Sequence, residues 1–99
     1  MKYALVVKEE AQEDIRIAYL WYEDKLNGLG EKFFEEMDNC ISYIIHNPFI
    51  YEVRYKDVRY GIMNTFPYVV IYRIEKFSVI VYAVFNTRKN PKSWRGRLK

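Results

Sequence analysis

The chain has 99 residues, of which half are apolar, with one cysteine, Cys40, and a formal net charge of +3. This length predicts a single domain over residues 1–99, and a lone cysteine excludes an internal disulfide. The apolar run within residues 1–8 is too short for a signal peptide or a membrane span, so we expect a cytoplasmic protein with no membrane partner.

The charge is distributed unevenly along the chain. Residues 1–52 carry five Lys/Arg and eleven Asp/Glu, whereas residues 53–99 carry eleven Lys/Arg and two Asp/Glu. Residues 86–99 hold six Lys/Arg and no acidic residue, and Trp94 lies among them. Solvated tails rarely contain tryptophan, so this pattern predicts that the C-terminal half contacts an anionic partner, either nucleic acid or an acidic protein segment.

The N-terminal half predicts a short strand followed by two helices. Residues 2–8 indicate the strand, and a helix begins at Glu9 or Glu10, where acidic residues favour the helix dipole. Its buried face is predicted from apolar residues at helical spacing, namely Ala11, Ile15, Ala18, Tyr19 and Tyr22. Gly28 and Gly30 predict a tight turn between the helices. The second helix carries the stripe Phe33, Met37, Cys40, Ile41 and Ile44, and it ends before Pro48.

After Pro48 the apolar period changes from 3.6 to 2, which indicates strands. We predict strands over residues 54–63, interrupted near Lys56, over residues 68–75 and over residues 78–87. The last two are almost entirely apolar and should be central. The predicted fold is α+β, in the order β-α-α-β-β-β, with the helical hairpin packed on one face of an antiparallel meander. The other face should be thinly covered and aromatic, so that a partner segment could lie across it.

Few residues could carry catalysis. His46 has no cysteine or acid at metal-ligand spacing, and the chain has no glycine-rich phosphate loop and no activated serine, so we expect no metal and no cofactor. Metal-free acid–base chemistry would rely on arginine, lysine and tyrosine, which is sufficient for RNA cleavage. A local basic patch with an aromatic neighbour is predicted to bind phosphate or carboxylate through Arg88, Lys89, Lys92, Trp94 and Arg95.

Short motifs follow one another in a fixed order between about residues 9 and 97. They occupy residues 11–15, 21–23, 28–33, 45–48, 58–59, 66–72, 83–85 and 88–91, with Trp94 after them. In this order and spacing the chain resembles the RelE/ParE superfamily of type II toxins. Phe66-Pro67-Tyr68 before an apolar strand, with a late arginine, proline and tryptophan, resembles the ParE, or plasmid stabilisation, branch. The resemblance implies the fold predicted above and a cognate antitoxin that binds as a helix in a groove or as an added strand.

The two branches of this superfamily imply different activities. The ParE branch implies growth inhibition through binding of DNA gyrase, whereas the RelE branch implies metal-free cleavage of messenger RNA in the ribosome. Aligned on Tyr68, three positions that are basic in the ribonuclease branch hold Tyr60, Ile62 and Val69, and Arg88 alone matches. Such groups stabilise a cleaving phosphate by about 3 kcal/mol each. The substitutions therefore favour a binding protein over a ribonuclease.

Three hypotheses follow, in order of preference. The first is a ParE-like toxin that binds a cellular target, DNA gyrase, and is neutralised by an antitoxin. The second is a ribosome-dependent endoribonuclease that uses the altered catalytic set Arg88, Arg59, Tyr60 and Lys56. The third is a small nucleic-acid-binding module with no toxin role.

Overall fold

The computed structural model describes residues 2–98, apart from the side chains of Pro91 and Lys92. Its elements are β1 (Ala4–Val7), α1 (Glu9–Lys25), α2 (Leu29–His46), β2 (Val53–Tyr55), β3 (Val58–Ile62), β4 (Tyr68–Glu75), β5 (Ser78–Asn86) and a 3-10 helix (Pro91–Arg97) that we call the C-terminal arm. None of the helices in the described part of the chain is long and apolar enough to cross a membrane. The predicted strand over residues 54–63 is divided into β2 and β3 at Lys56, whose φ is +54°.

The five strands form one sheet in the order β1-β5-β4-β3-β2, in which β1 runs parallel to β5 and the other pairs are antiparallel. The predicted α+β fold is confirmed, with β4 and β5 in the interior of the sheet. A bulge shifts the pairing from Ile71–Ala83 to Tyr72–Val81. Because the extra residue reverses the alternation of side chains, Val81 and Val84 both pack in the core that contains the helices.

The two helices are joined by a turn that side chains hold closed. Gly28 has a φ of +91°, which favours glycine. The Glu23 carboxylate accepts the backbone N–H groups of Gly28 and Gly30 at 2.9 and 3.0 Å. A Cβ atom at Gly30 would lie 2.7 Å from the carbonyl oxygen of Tyr19. Thus α1 both caps the first turn of α2 and packs closely against it.

Both helices cover one face of the sheet, as predicted. Phe33 and Ile44 are fully buried in the core that also contains Tyr72. A Cβ atom at Gly61 would lie 2.6 Å from Cδ1 of Ile44, so α2 rests directly on β3. The Tyr72 hydroxyl donates to the carbonyl oxygen of Pro48 at 2.6 Å, and burial raises the pKa of Tyr72. This bond fixes the chain where it leaves α2.

The opposite face of the sheet is covered, contrary to the sequence-based expectation of an open aromatic face. The C-terminal arm folds back across it, and a second apolar cluster forms from Val58, Val69, Ile71, Ala83 and Trp94. The Trp94 side chain is fully buried. The prediction was wrong because strand periodicity shows only that a face is apolar, whereas the cover comes from one tryptophan in an otherwise basic segment.

An ion pair holds the C-terminal arm to the first helix. The Arg97 guanidinium makes two bonds to the Asp14 carboxylate, at 2.7 and 3.2 Å, and donates to the carbonyl oxygen of Tyr82 at 3.1 Å. Asp14 also accepts the backbone N–H of Val84 at 3.0 Å. One carboxylate of α1 therefore joins the arm and β5.

Candidate target-binding site

The proposed ribonuclease residues on β3 point to opposite faces of the sheet. The Arg59 guanidinium donates to the carbonyl oxygen of Tyr51 and lies 5.2 Å from the centre of the Phe49 ring. Tyr60, the next residue, packs on the other face, with its ring centre 5.8 Å from that of Trp94. Alternation along the strand separates these two side chains, so they cannot act on one phosphate.

The other two candidates lie at opposite ends of the sheet. Lys56 is in the β2–β3 turn, two residues before Val58 at the start of β3. Through β4, Ile62 at the end of β3 is level with the last residues of β5. Arg88 follows β5 and therefore lies beyond that end of β3. The length of β3 alone is about 13 Å at roughly 3.3 Å per residue. The four candidates therefore form no common cluster.

The residues predicted to bind a target fall into two groups. Arg88 and Lys89 are exposed at the end of β5. Arg95, on the arm, is partly buried, and its guanidinium carbon lies 4.1 Å from the centre of the Tyr55 ring. The side chain of Lys92 lies outside the described residues. The exposed cations at the end of β5 are therefore the part of the predicted patch that the structure places on the surface.

Trp94 requires a correction. Its ring packs edge-on against Tyr55 and Tyr60, with centres 5.7 and 5.8 Å away, and none of its side chain is exposed. The indole N–H is buried and has no acceptor among the described residues. A side chain in this position anchors the arm and cannot contact a target. Because Trp94 lies among basic residues in the sequence, we expected it on a binding surface. In the folded arm its indole instead packs on the sheet face, away from the exposed cations.

A cleft that the sequence analysis did not predict lies between α1 and the adjoining ends of β4 and β5. We call it the α1 cleft. It is lined by Ile17, Ala18, Trp21, Tyr22, Pro67, Tyr68, Asn86, Arg88 and Lys89. This lining includes two cations, two phenols and an amide but no carboxylate. Such a set of donors is suited to an anionic group.

Both phenols of the α1 cleft remain protonated at neutral pH. Burial raises the pKa of Tyr68, and a hydrogen bond with Asn86 acts against this rise. Burial also raises the pKa of Tyr22, and the charge of Arg88 acts against it. The Asn86 side-chain oxygen accepts the backbone N–H of Arg88 at 2.9 Å, which fixes the chain at the cleft edge. The cleft therefore presents neutral hydroxyl donors beside fixed positive charge.

Trp21 is the exposed aromatic residue of this cleft. About 55% of the residue is accessible, its ring meets Tyr22 edge-on at 5.1 Å, and the Lys25 ammonium lies 4.8 Å from its centre. The sequence offered one signal for it, because Ile17 and Trp21 are apolar but lie outside the predicted buried stripe of α1. Apolar side chains left outside a buried stripe are typical of a binding surface.

A second exposed apolar surface lies on the outer side of the helical hairpin. We call it the hairpin groove, and it is lined by Gln12, Ile15, Arg16, Tyr19, Leu20, Glu31 and Phe34. Leu20 and Phe34 are 51% and 43% exposed. The Tyr19 hydroxyl donates to Glu31 at 2.8 Å and joins the two helices at this surface.

The fold and the cation-lined cleft define a small α+β protein with a surface suited to an anionic partner. Residues 5–91 match the family model described as the ParE toxin of type II toxin–antitoxin system, parDE, and the chain belongs to this family. A chain of the solved structure "Chromosomal ParDE TA system from P. aeruginosa" is similar in fold, with a TM-score of 0.75 and 12% sequence identity, over 86% of this chain and 96% of that chain. No curated protein matches the sequence. The predicted family is confirmed.

Proposed function

We propose that this protein is a cytoplasmic, growth-inhibiting toxin that binds DNA gyrase and is neutralised by a cognate antitoxin. The observation that carries the proposal is the separation of its basic residues. Arg88 and Lys89 are exposed on the α1 cleft, whereas Arg59 and Lys56 are held elsewhere on the sheet. Charges arranged in this way support binding of a target more than cleavage of a phosphodiester, which requires several groups around one phosphate.

The ion pairs of the C-terminal half support the same choice of residues. Arg54, Arg73 and Arg97 each pair with a carboxylate. Arg88 and Lys89 have no ion-pair partner among the described residues, and they remain available to an external anion. An exposed charge of this kind contributes to the rate and specificity of association with a complementary surface.

The hairpin groove is the surface that we propose for the antitoxin. An amphipathic helix of the antitoxin could bury Leu20 and Phe34 between α1 and α2. Burial of an exposed leucine or phenylalanine side chain contributes about 1.5–3 kcal/mol each. The groove is separate from Arg88 and Lys89, so the antitoxin and the target would use different surfaces.

Inducible expression in a sensitive bacterium tests this proposal. We expect the chain alone to arrest growth, and co-expression of the product of the adjacent reading frame to restore it. Leu20→Asp with Phe34→Asp should remain toxic but escape rescue, because the antitoxin loses its apolar contacts. Phe77→Asp is the matched control, since Phe77 is 66% exposed at the distant β4–β5 turn, and this variant should still be rescued. Accumulation of soluble wild-type protein without harm in several hosts would contradict the toxin assignment.

A further inference from the structure

We propose that the α1 cleft binds single-stranded nucleic acid, with phosphates at Arg88 and Lys89 and a base stacked on Trp21. The first observation is the chemistry of the lining. The two cations share the cleft with Tyr22 and Tyr68, and no carboxylate lines it. Asp14 lines the adjoining depression together with Lys89, but its carboxylate is paired with Arg97, which leaves the cleft itself suited to a polyanion.

The second observation is the position of the exposed aromatic ring. Trp21 lines the same cleft as the two cations and is more than half exposed. The ammonium of Lys25 lies over one face of this ring, 4.8 Å from its centre, and provides a third positive charge, so a base would stack on the other face. Aromatic platforms that alternate with cations are typical of surfaces that bind single strands, because such strands alternate bases with phosphates.

The occupant that fits both observations is an unpaired strand rather than an acidic peptide. An acidic peptide could pair with Arg88 and Lys89, but it would supply a planar group for Trp21 only where it carried an aromatic side chain, whereas every nucleotide of a strand carries a base beside its phosphate. A duplex could contact the cations, but its bases are already stacked on one another. The amide of Asn86 and the two phenols can donate to base edges or to phosphate oxygens. RNA and DNA share this chemistry, and the experiment separates them.

Fluorescence anisotropy of labelled twelve-residue oligonucleotides with the purified full chain tests this inference. The probes are oligo-dT, oligo-U and a DNA duplex, measured from 50 to 300 mM salt. Arg88→Ala with Lys89→Ala is compared with Lys2→Ala with Lys32→Ala, a control that removes two exposed cations away from the cleft. Trp21→Leu is compared with Phe77→Leu in the same assay, and quenching of Trp21 fluorescence is recorded in parallel.

We expect micromolar binding of a single strand at 50 mM salt, and weaker binding of the duplex. In Arg88→Ala with Lys89→Ala, the loss of two phosphate contacts should make the slope of log affinity against log salt less steep by about 1.4, since each contact contributes about 0.7 for single strands. Trp21→Leu should weaken binding about tenfold, and both control variants should bind like the wild type. Because Trp94 is buried, bound nucleic acid should quench the emission of Trp21.

Three results would overturn the inference. The first is no binding of either single strand at 100 µM protein and 50 mM salt. The second is an equal loss of affinity in Arg88→Ala with Lys89→Ala and in its charge-matched control, which would indicate nonspecific electrostatic binding. The third is displacement of the strand by an oligo-glutamate peptide that binds wild type and Trp21→Leu equally. The assay contains no gyrase and no antitoxin, so its failure would leave the proposed toxicity standing, and a harmless protein could still bind nucleic acid.

Discussion

Replacement of Trp94 by alanine should destabilise the fold rather than remove a contact with a target. The fully buried side chain packs on Val58, Val69, Ile71 and Ala83 across the sheet face. A buried tryptophan hides roughly 150–250 Å² of surface, which at about 25 cal/mol per Å² corresponds to about 4–6 kcal/mol. Its indole N–H has no acceptor among the described residues, a cost of about 1–3 kcal/mol that the substitution removes. The expected net loss is about 3 kcal/mol.

Trp94→Phe separates these two contributions. It keeps an aromatic ring beside Tyr55 and Tyr60 but removes the unsatisfied donor, so we expect its stability within about 1 kcal/mol of the wild type. The assay is urea unfolding followed by circular dichroism, with Trp21→Ala as the control for an exposed tryptophan, which should lose less than about 0.5 kcal/mol. If Trp94→Ala were as stable as the wild type and only its binding were lost, the burial of this residue would be refuted.

The remaining predictions concern the core, one titrating group and the cleft. Phe33→Ala and Ile71→Ala should each lose about 3 kcal/mol in urea unfolding, because both side chains are fully buried, and losses below about 1 kcal/mol at both would contradict their packing. Burial raises the pKa of Cys40 to about 11, above the ordinary value of about 8.5. Between these values the unfolded chain loses the proton while the folded chain keeps it, so stability should fall as the pH rises through this window. The stability of Cys40→Ala should fall less steeply between pH 8 and pH 11 than that of the wild type. Equal slopes for the two proteins would exclude the titration of Cys40 as the cause. Arg88→Lys should keep most of the toxicity of the wild type in a growth assay, since a binding site needs the charge, whereas a loss as severe as that of Arg88→Ala would indicate a catalytic guanidinium.

The elements of the fold could be predicted because local chemistry specifies them. The helix boundary at Glu9 depends on acidic residues at the positive end of the helix dipole, the turn at Gly28 on a positive φ, and the end of α2 before Pro48 on proline sterics. Each was predicted from neighbouring residues. The bulge that lets both Val81 and Val84 pack in the helix-side core was not predicted. It depends on pairing between strands, which no single segment encodes.

The candidate site was predicted only in part, for a related reason. Arg88 and Lys89 were expected on a surface from the charge of the C-terminal run, and they are exposed. Trp94 was assigned to the same surface because it is close in sequence, but the arm returns it to the sheet face. Trp21 and Tyr68 join the cleft through tertiary packing of α1 beside the ends of β4 and β5. Deletion of residues 94–99 would consequently test folding more than target binding.

The most direct test follows DNA breakage and messenger cleavage in the same induced culture. Cells that express the wild-type chain without its antitoxin are sampled before growth stops, and both nucleic acids are mapped. If the protein acts by binding gyrase, double-strand breaks at gyrase sites should accumulate while ribosome-bound messengers stay intact, and Arg88→Ala should reduce the breaks. Messenger cleavage in the ribosomal A site that Arg88→Ala abolishes, with intact DNA, would contradict the proposal and indicate the ribonuclease.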